Sequence, residues 1–467
     1  MRRTLWGLAL SALLVATVAT PADAAPAGAA EAKTITGTID GADFRVELPD
    51  SWNGTLVLYS HGYFPEGFPH FGIGLTNRPA DSESEAWLLA NGYALAGSYY
   101  SGNGTGYAVE RALRDQIALL DWFEDNVGAP RHTVSYGQSM GATIGVLLAE
   151  RNPHRFDGVA TICGEYDPQG TFNATLDLTF ATKVLLAPDA DIDLVHPRDP
   201  VASMGALGEA IDRALTTPAG RAKLALVAAF NNVPGWYSAY DPRPTTGSLG
   251  WLTQQALWLK NAYAFLGTLG RADLERWAGG NPSSNVGVDY RRQLARSGQD
   301  ELVRRAYRAA GLDLGADLAR LNAAPRVAAD PAAVRYMYRY GVPRGTTTAP
   351  VISVHTTGDG GAVADQERWY ADQVRRAGDP QLLRQVYIER GGHCSINAAE
   401  ELVVLRTLFA RIDTGRWPHT SPPRLTAAAE AFGPGYDLVF DFGTGDDKPM
   451  APAFTRFAPP VFLRPSR

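Results

Sequence analysis

The chain has 467 residues, 45% of them hydrophobic and 20% charged, enough apolar material for one large core plus an insertion or a small second domain. A net charge of −6 speaks against nucleic acid as a partner, since it lacks the basic footprint such binding needs. With only Cys163 and Cys394, the chain is no disulfide-dense scaffold; the pair is either one bridge or two inert buried thiols.

Met1-Arg2-Arg3-Thr4 is a short basic start, an apolar run covers residues 5–19, and small residues surround Ala22-Asp23-Ala24. That order predicts a signal peptide over residues 1–24 and a leader over 25–32, hence a secreted chain. The apolar run is short for a membrane span and no later run replaces it, so no stable membrane association is expected.

Strand-length apolar or alternating runs follow at residues 34–39, 44–48, 55–59, 93–97, 132–136, 158–163, 351–355 and 383–388. Helical patterns fall at 83–90, 108–126, 140–151, 365–377 and 398–411, so strand and helix alternate from residue 55 onward. Such alternation predicts an α/β fold, a mostly parallel eight-stranded sheet with helices on both faces. The first two runs, separated only by Asp40-Gly41-Ala42, read as an antiparallel hairpin at the sheet edge.

Over residues 171–345 the alternation stops and helical patterns rich in aromatics take over, which reads as an inserted helical cap. The core is then 33–170 with 346–415, and 416–467 is an extension packed on it. Trp236, Tyr237, Trp251, Trp258 and Tyr263 recur at helical spacing and are read as cap core before substrate contacts. Asp189, Asp191 and Asp193 imitate a calcium loop, but Leu194 and Pro200 occupy the glycine and closing-glutamate positions, so a solvated acidic turn is expected and no metal site. Gly443-Thr444-Gly445 lacks the Gly-Lys-Ser/Thr that grips a phosphate and reads as a turn between two strands.

Gly137-Gln138-Ser139-Met140-Gly141 joins the fifth strand run to the following helix. Glycines at both flanks let strand and helix approach closely and push the serine hydroxyl outward. Chance alone supplies such a pentapeptide in roughly one chain in five of this size, so its context has to carry the reading. A nucleophilic serine needs a base, a group that orients the base, and oxyanion donors. Glu389-Arg390-Gly391-Gly392-His393-Cys394-Ser395 places His393 on a glycine-loosened loop after the eighth strand, the best base. His61, His70, His132, His154, His196, His355 and His419 read as surface or core residues. Asp359, after the seventh strand, is the orienting acid, with Glu165 and Asp167 after the sixth as rivals. The third strand ends in Ser60-His61-Gly62-Tyr63, from which the backbone amide of Tyr63, with that of Met140, would hold an oxyanion.

At these residues the chain resembles the α/β-hydrolase superfamily, and more narrowly secreted actinobacterial α/β-hydrolases. The resemblance rests on residues 93–100, the pentapeptide, residues 156–164 and Gly392-His393-Cys394, and spans 34–170 and 349–411. A single His-Gly and a very long cap depart from the commoner pattern. What the resemblance implies is a Ser139, Asp359 and His393 triad in chain order, an oxyanion hole at Tyr63 and Met140, and acyl transfer without metal or organic cofactor. The expected substrate is a small-molecule or oligomeric carboxylic ester, aromatic or phenolic by analogy with feruloyl esterases. The alternative is a proline-type exopeptidase, which needs cap carboxylates such as Glu209, Asp212, Asp273, Glu275 or Asp313 to hold an amino terminus. On this fold the histidine loop comes over the strand beside the serine, so a Cys163–Cys394 disulfide is expected to hold His393 over Ser139.

Overall fold

Strands β1 (Ala32–Ile39) and β2 (Ala42–Pro49) pair antiparallel along their length, turning on Asp40 and Gly41 with φ of 49° and 81°. Positive φ at both central residues is what a two-residue hairpin demands, and Asp-Gly supplies it cheaply. The computed structural model describes residues 32–65, 82–102, 104–441 and 446–466. The expected signal peptide, all of the leader but Ala32, His70 and Gly443-Thr444-Gly445 lie outside the described residues.

The sheet continues with β3 (Thr55–Ser60), β4 (Ala94–Ser98), β5 (His132–Gln138), β6 (Gly158–Ile162), β7 (Val351–Gly358) and β8 (Leu383–Gly391). Its order is β1-β2-β4-β3-β5-β6-β7-β8, parallel from β4 onward. Side chains alternate between two cores, as a period of two requires. Leu56 and Leu58 face the helices Val109–Asn126, Met140–Arg151 and Asp365–Ala377, whereas Val57 and Tyr59 face Ala398–Thr414. Covered on both faces, β3 buries all six residues. This topology, with the serine turn after the central β5, is the α/β-hydrolase fold.

Among the described residues the sheet has nine strands, not the eight expected. After β9 (Leu438–Asp441) and β10 (Asp446–Pro449) form a small hairpin, β11 (Phe454–Thr455) adds to the free edge of β8, Phe454 opposite Ile388. Two residues in a proline-rich stretch carry no readable period, yet they cover an edge that would otherwise expose unpaired amides.

Between β6 and β7 the chain is helical, from Pro168–Leu186 to Pro331–Tyr340. Three of these helices open on proline behind a capping side chain: Asp167, Asp199 and Thr217 accept from the amides of Gly170, Ala202 and Gly220. Proline fits the first turn because its missing N–H has no partner there anyway. This segment has its own apolar cluster, including Phe180, Phe230, Trp251, Trp258, Tyr263 and Tyr290. The acidic turn is neutralised from within, Arg198 reaching Asp191 and Asp193 at 3.0 and 3.1 Å.

Candidate active site

Parallel strands end at one edge of the sheet, and the loops there gather residues distant in sequence. Ser139 follows β5 with φ 55° and ψ −120°, a left-handed conformation that a serine adopts only where the surroundings impose it. A side chain at Gly141 would drive into the Ser60 carbonyl, and one at Gly137 into that of Gly141, so both positions need glycine. Ser139 Oγ lies 2.9 Å from His393 Nε2, and His393 Nδ1 lies 2.7 Å from Asp359 Oδ2. The other oxygen of Asp359 accepts from the amides of Gly361 at 2.8 Å and Ala362 at 3.0 Å.

The histidine loop is held from several sides. Arg390, buried, forms a two-armed pair with Glu400 at 2.7 and 3.1 Å, and Glu400 completes a capping box with Asn397. Thr356 Oγ1 donates to the Gly392 carbonyl at 2.8 Å. Cys394 is joined to Cys163 by a disulfide with Cα atoms 5.2 Å apart. From the cap, Trp236 packs on Gly358 and Gly391 and Trp258 on Gly360, so closely that a Cβ at any of the three would fall 3.1 Å or less from a tryptophan side-chain atom. These two tryptophans are packing groups for the acid and histidine loops.

The His61-Gly62-Tyr63 turn sits against the serine: a Cβ on Gly62 would lie 3.4 Å from Ser139 Cβ. His61 stacks on Tyr100 with centroids 4.0 Å apart, and its Nδ1 is 2.7 Å from the Gly62 carbonyl, a bracing role. Tyr63 reaches the cap, its hydroxyl donating to Asp273 Oδ2 at 3.0 Å. Met140 is buried and opens its helix, where a first-turn amide has no intrahelical acceptor.

Electrostatics separate the candidate acids. Burial alone would raise Asp359, but His393 and His355 outweigh it and hold the carboxyl down at about 2. Glu165, half-buried, is pushed up by burial to about 7, and Asp167 to about 6. Asp167 instead caps its helix and accepts from the amide of Ser466 at 2.7 Å. His355, read from sequence as an ordinary core or surface residue, is buried and lies 3.4 Å from Asp359 Oδ2. The only sequence signal for it is its place on the same strand end, four residues before Asp359.

The cap carboxylates have partners of their own, and Asp273 has one of them at the turn beside the serine. Glu209 pairs with Arg213, Asp212 with Lys260, Glu275 accepts from the His196 amide, and Asp313 caps a helix at the Ala316 amide. Asp273 accepts from the Tyr63 hydroxyl, the Tyr107 amide and Arg276.

Residues 39–376 match a family described as a tannase-like family of unknown function, DUF6351. The chain is 26% identical over 431 residues to an o-phthalyl amidase of Xanthobacter agilis, an alignment covering 86% of this chain and 92% of the amidase. Among solved structures it is similar to an esterase from Aspergillus oryzae, at TM-score 0.43 and 12% identity over 93% of this chain and 88% of that one. Feruloyl esterase B from Aspergillus oryzae matches at TM-score 0.43 and 13% identity, over 91% of this chain and 86% of that one.

Proposed function

The chain belongs to the tannase-like family of unknown function DUF6351, and we propose that it is a secreted serine hydrolase that cleaves carboxylic esters, aromatic or phenolic ones foremost, through an acyl-enzyme. The carrying observation is the unbroken relay from Ser139 Oγ through both nitrogens of His393 to a buried, ionised Asp359. In the first half-reaction His393 Nε2 takes the hydroxyl proton as Ser139 Oγ bonds to the carbonyl carbon, and Asp359 stabilises the resulting imidazolium. The amides of Tyr63 and Met140 hold the oxyanion, each donor contributing about 3 kcal/mol to the transition state. Collapse breaks the bond to the leaving oxygen, which receives the proton from Nε2. Water then gives a proton to Nε2 and adds to the acyl carbon, and Ser139 departs with that proton. The steps call for no metal or organic cofactor.

The o-phthalyl amidase relative favours a second reading, in which the same relay protonates a leaving nitrogen and the scissile bond is an amide. The engagement of Glu209, Asp212, Asp273, Glu275 and Asp313 weighs against an exopeptidase that would need one of them for a substrate amino terminus.

Ser139→Ala is expected to abolish turnover of p-nitrophenyl esters while leaving the fold intact; surviving turnover overturns the nucleophile. A matched aryl ester and anilide decide between the two bonds, and anilide turnover without ester turnover selects the amide. Secretion, supported by the basic-apolar-small start of the chain and by the disulfide, predicts a mature amino terminus near Ala25 in culture medium. Finding the full-length chain retained in the cell would refute it.

A further inference from the structure

Behind Asp359 lies a buried imidazole that none of these steps uses. The Nδ1 of His355 is 3.0 Å from Glu367 Oε1, and its Nε2 is 2.8 Å from the carbonyl oxygen of Ala362 and 3.4 Å from Asp359 Oδ2. All three neighbours are acceptors. A carbonyl oxygen cannot donate, so Nε2 must carry a hydrogen. The second oxygen of Glu367 accepts from Ser353 Oγ at 2.6 Å and from Gln385 Nε2. With the hydrogen shared by Glu367 and Nδ1 placed on the nitrogen, the ring has two N–H groups and is an imidazolium.

The surroundings agree. Burial alone would favour the neutral ring, but the hydrogen bonds and charges of Asp359 and Glu367 outweigh it and raise His355 to about 10. The acidic neighbours are Asp359 from its own loop, and Glu367 and Asp365 from the helix Asp365–Ala377, Asp365 being pushed up by burial to about 7. Phenols of Tyr263 from the cap, and of Tyr166, Tyr370 and Tyr387 around Glu367, are pushed up by burial and stay neutral.

We propose that His355 is a permanently charged positioning residue, a second histidine that holds Oδ2 of Asp359 ionised and aimed at His393. This rests on the reading of Ser139, His393 and Asp359 as the hydrolytic relay. Without the cation, Asp359 would share its buried site with the carboxyl groups of Asp365 and Glu367 and would keep only His393 to offset burial, so it would take up a proton more readily. A proton on Asp359 removes what steadies the His393 imidazolium during attack.

Two-bond 1H–15N spectra of the ¹⁵N-histidine-labelled protein, assigned with His355→Gln, test the charge without any assay. One ring should keep both nitrogens protonated from about pH 5.5 to about 8.5, a range in which an ordinary histidine titrates. A bare nitrogen on His355 at neutral pH would overturn the proposal. In p-nitrophenyl ester hydrolysis, His355→Gln should lower kcat about tenfold to a hundredfold with little change in KM, well short of the about 10⁴-fold expected for losing Asp359 itself. Its acidic limb of kcat/KM, which reports protonation of the base, should move up by about one pH unit as the relay loses a neighbouring positive charge. Adding Glu367→Gln to His355→Gln removes a negative charge along with the positive one and should recover most of the lost kcat. A folded His355→Gln with unchanged kcat and pH profile refutes the role, as does a double variant with no recovery. If His355→Gln does not fold, assignment by His355→Asn and the spectrum of the unaltered protein decide. Activity surviving in Ser139→Ala sinks the hydrolytic reading yet leaves the spectrum of His355 to stand or fall by itself.

Discussion

Two neighbouring strand ends each bring carboxylates to the same edge of the sheet, and the chain treats them in opposite ways. After β7, Asp359 has two amides on one oxygen and two imidazoles at the other, and stays ionised down to about pH 2. After β6, Glu165 and Asp167 meet hydroxyl and amide donors only, from Thr171 and from Gly170 and Ser466, and burial pushes them up to about 7 and about 6. Depth in the protein is not what makes a carboxyl group a good partner for an imidazole; taken alone it does the reverse. The placement of cations selects Asp359.

The largest effect should come from Asp359→Asn, which keeps the shape but inverts the tautomer preference of His393 and should lower kcat about 10⁴-fold. Glu165→Gln measured beside it should stay within about threefold of wild type; equal losses in the two variants would erase the distinction between the strand ends. The Cys163–Cys394 bridge ties the β6 end to the histidine loop across 231 residues of sequence. Replacing both cysteines with serine should therefore lower unfolding free energy by about 2–4 kcal/mol in urea. Stability unchanged by that replacement would show that packing alone joins the two ends. The smallest effect is on pH dependence. For an acid whose folded pKa is raised, the folded state binds more protons between the unfolded and folded values, so stability falls as pH climbs through that window and levels off above it. For Glu165 the window runs from its ordinary value of 4.5 to about 7. Thermal unfolding of Glu165→Gln should show a shallower decline there than wild type, and an identical slope would place the titration on another group.

Much of this was legible because the signals were local. The helices Met140–Arg151 and Asp365–Ala377 begin and end where the apolar period does, and Asp40-Gly41 announces its own turn. The pentapeptide, His393 and Asp359 each stand at a strand end, so topology alone predicts their neighbourhood, and hydrogen bonds join them there. What escaped was made by long-range pairing. β11 exists because β8 offers an edge, and His355 differs from any core histidine only through Asp359 on its own loop and Glu367 on the following helix. Choosing Asp359 over Glu165 from strand order left out the physical reason, because neither sequence neighbourhood shows where the two imidazoles go.

Trp236 and Trp258, pressed onto Gly358, Gly360 and Gly391, bear on how such an enzyme can be re-engineered. A cap borrowed from a relative would have to bring tryptophans shaped to this particular glycine surface, or the loops carrying Asp359 and His393 would lose the wall they lean on. Grafting for new specificity is thus better confined to side chains beyond those contacts than attempted by exchanging the cap as a cassette.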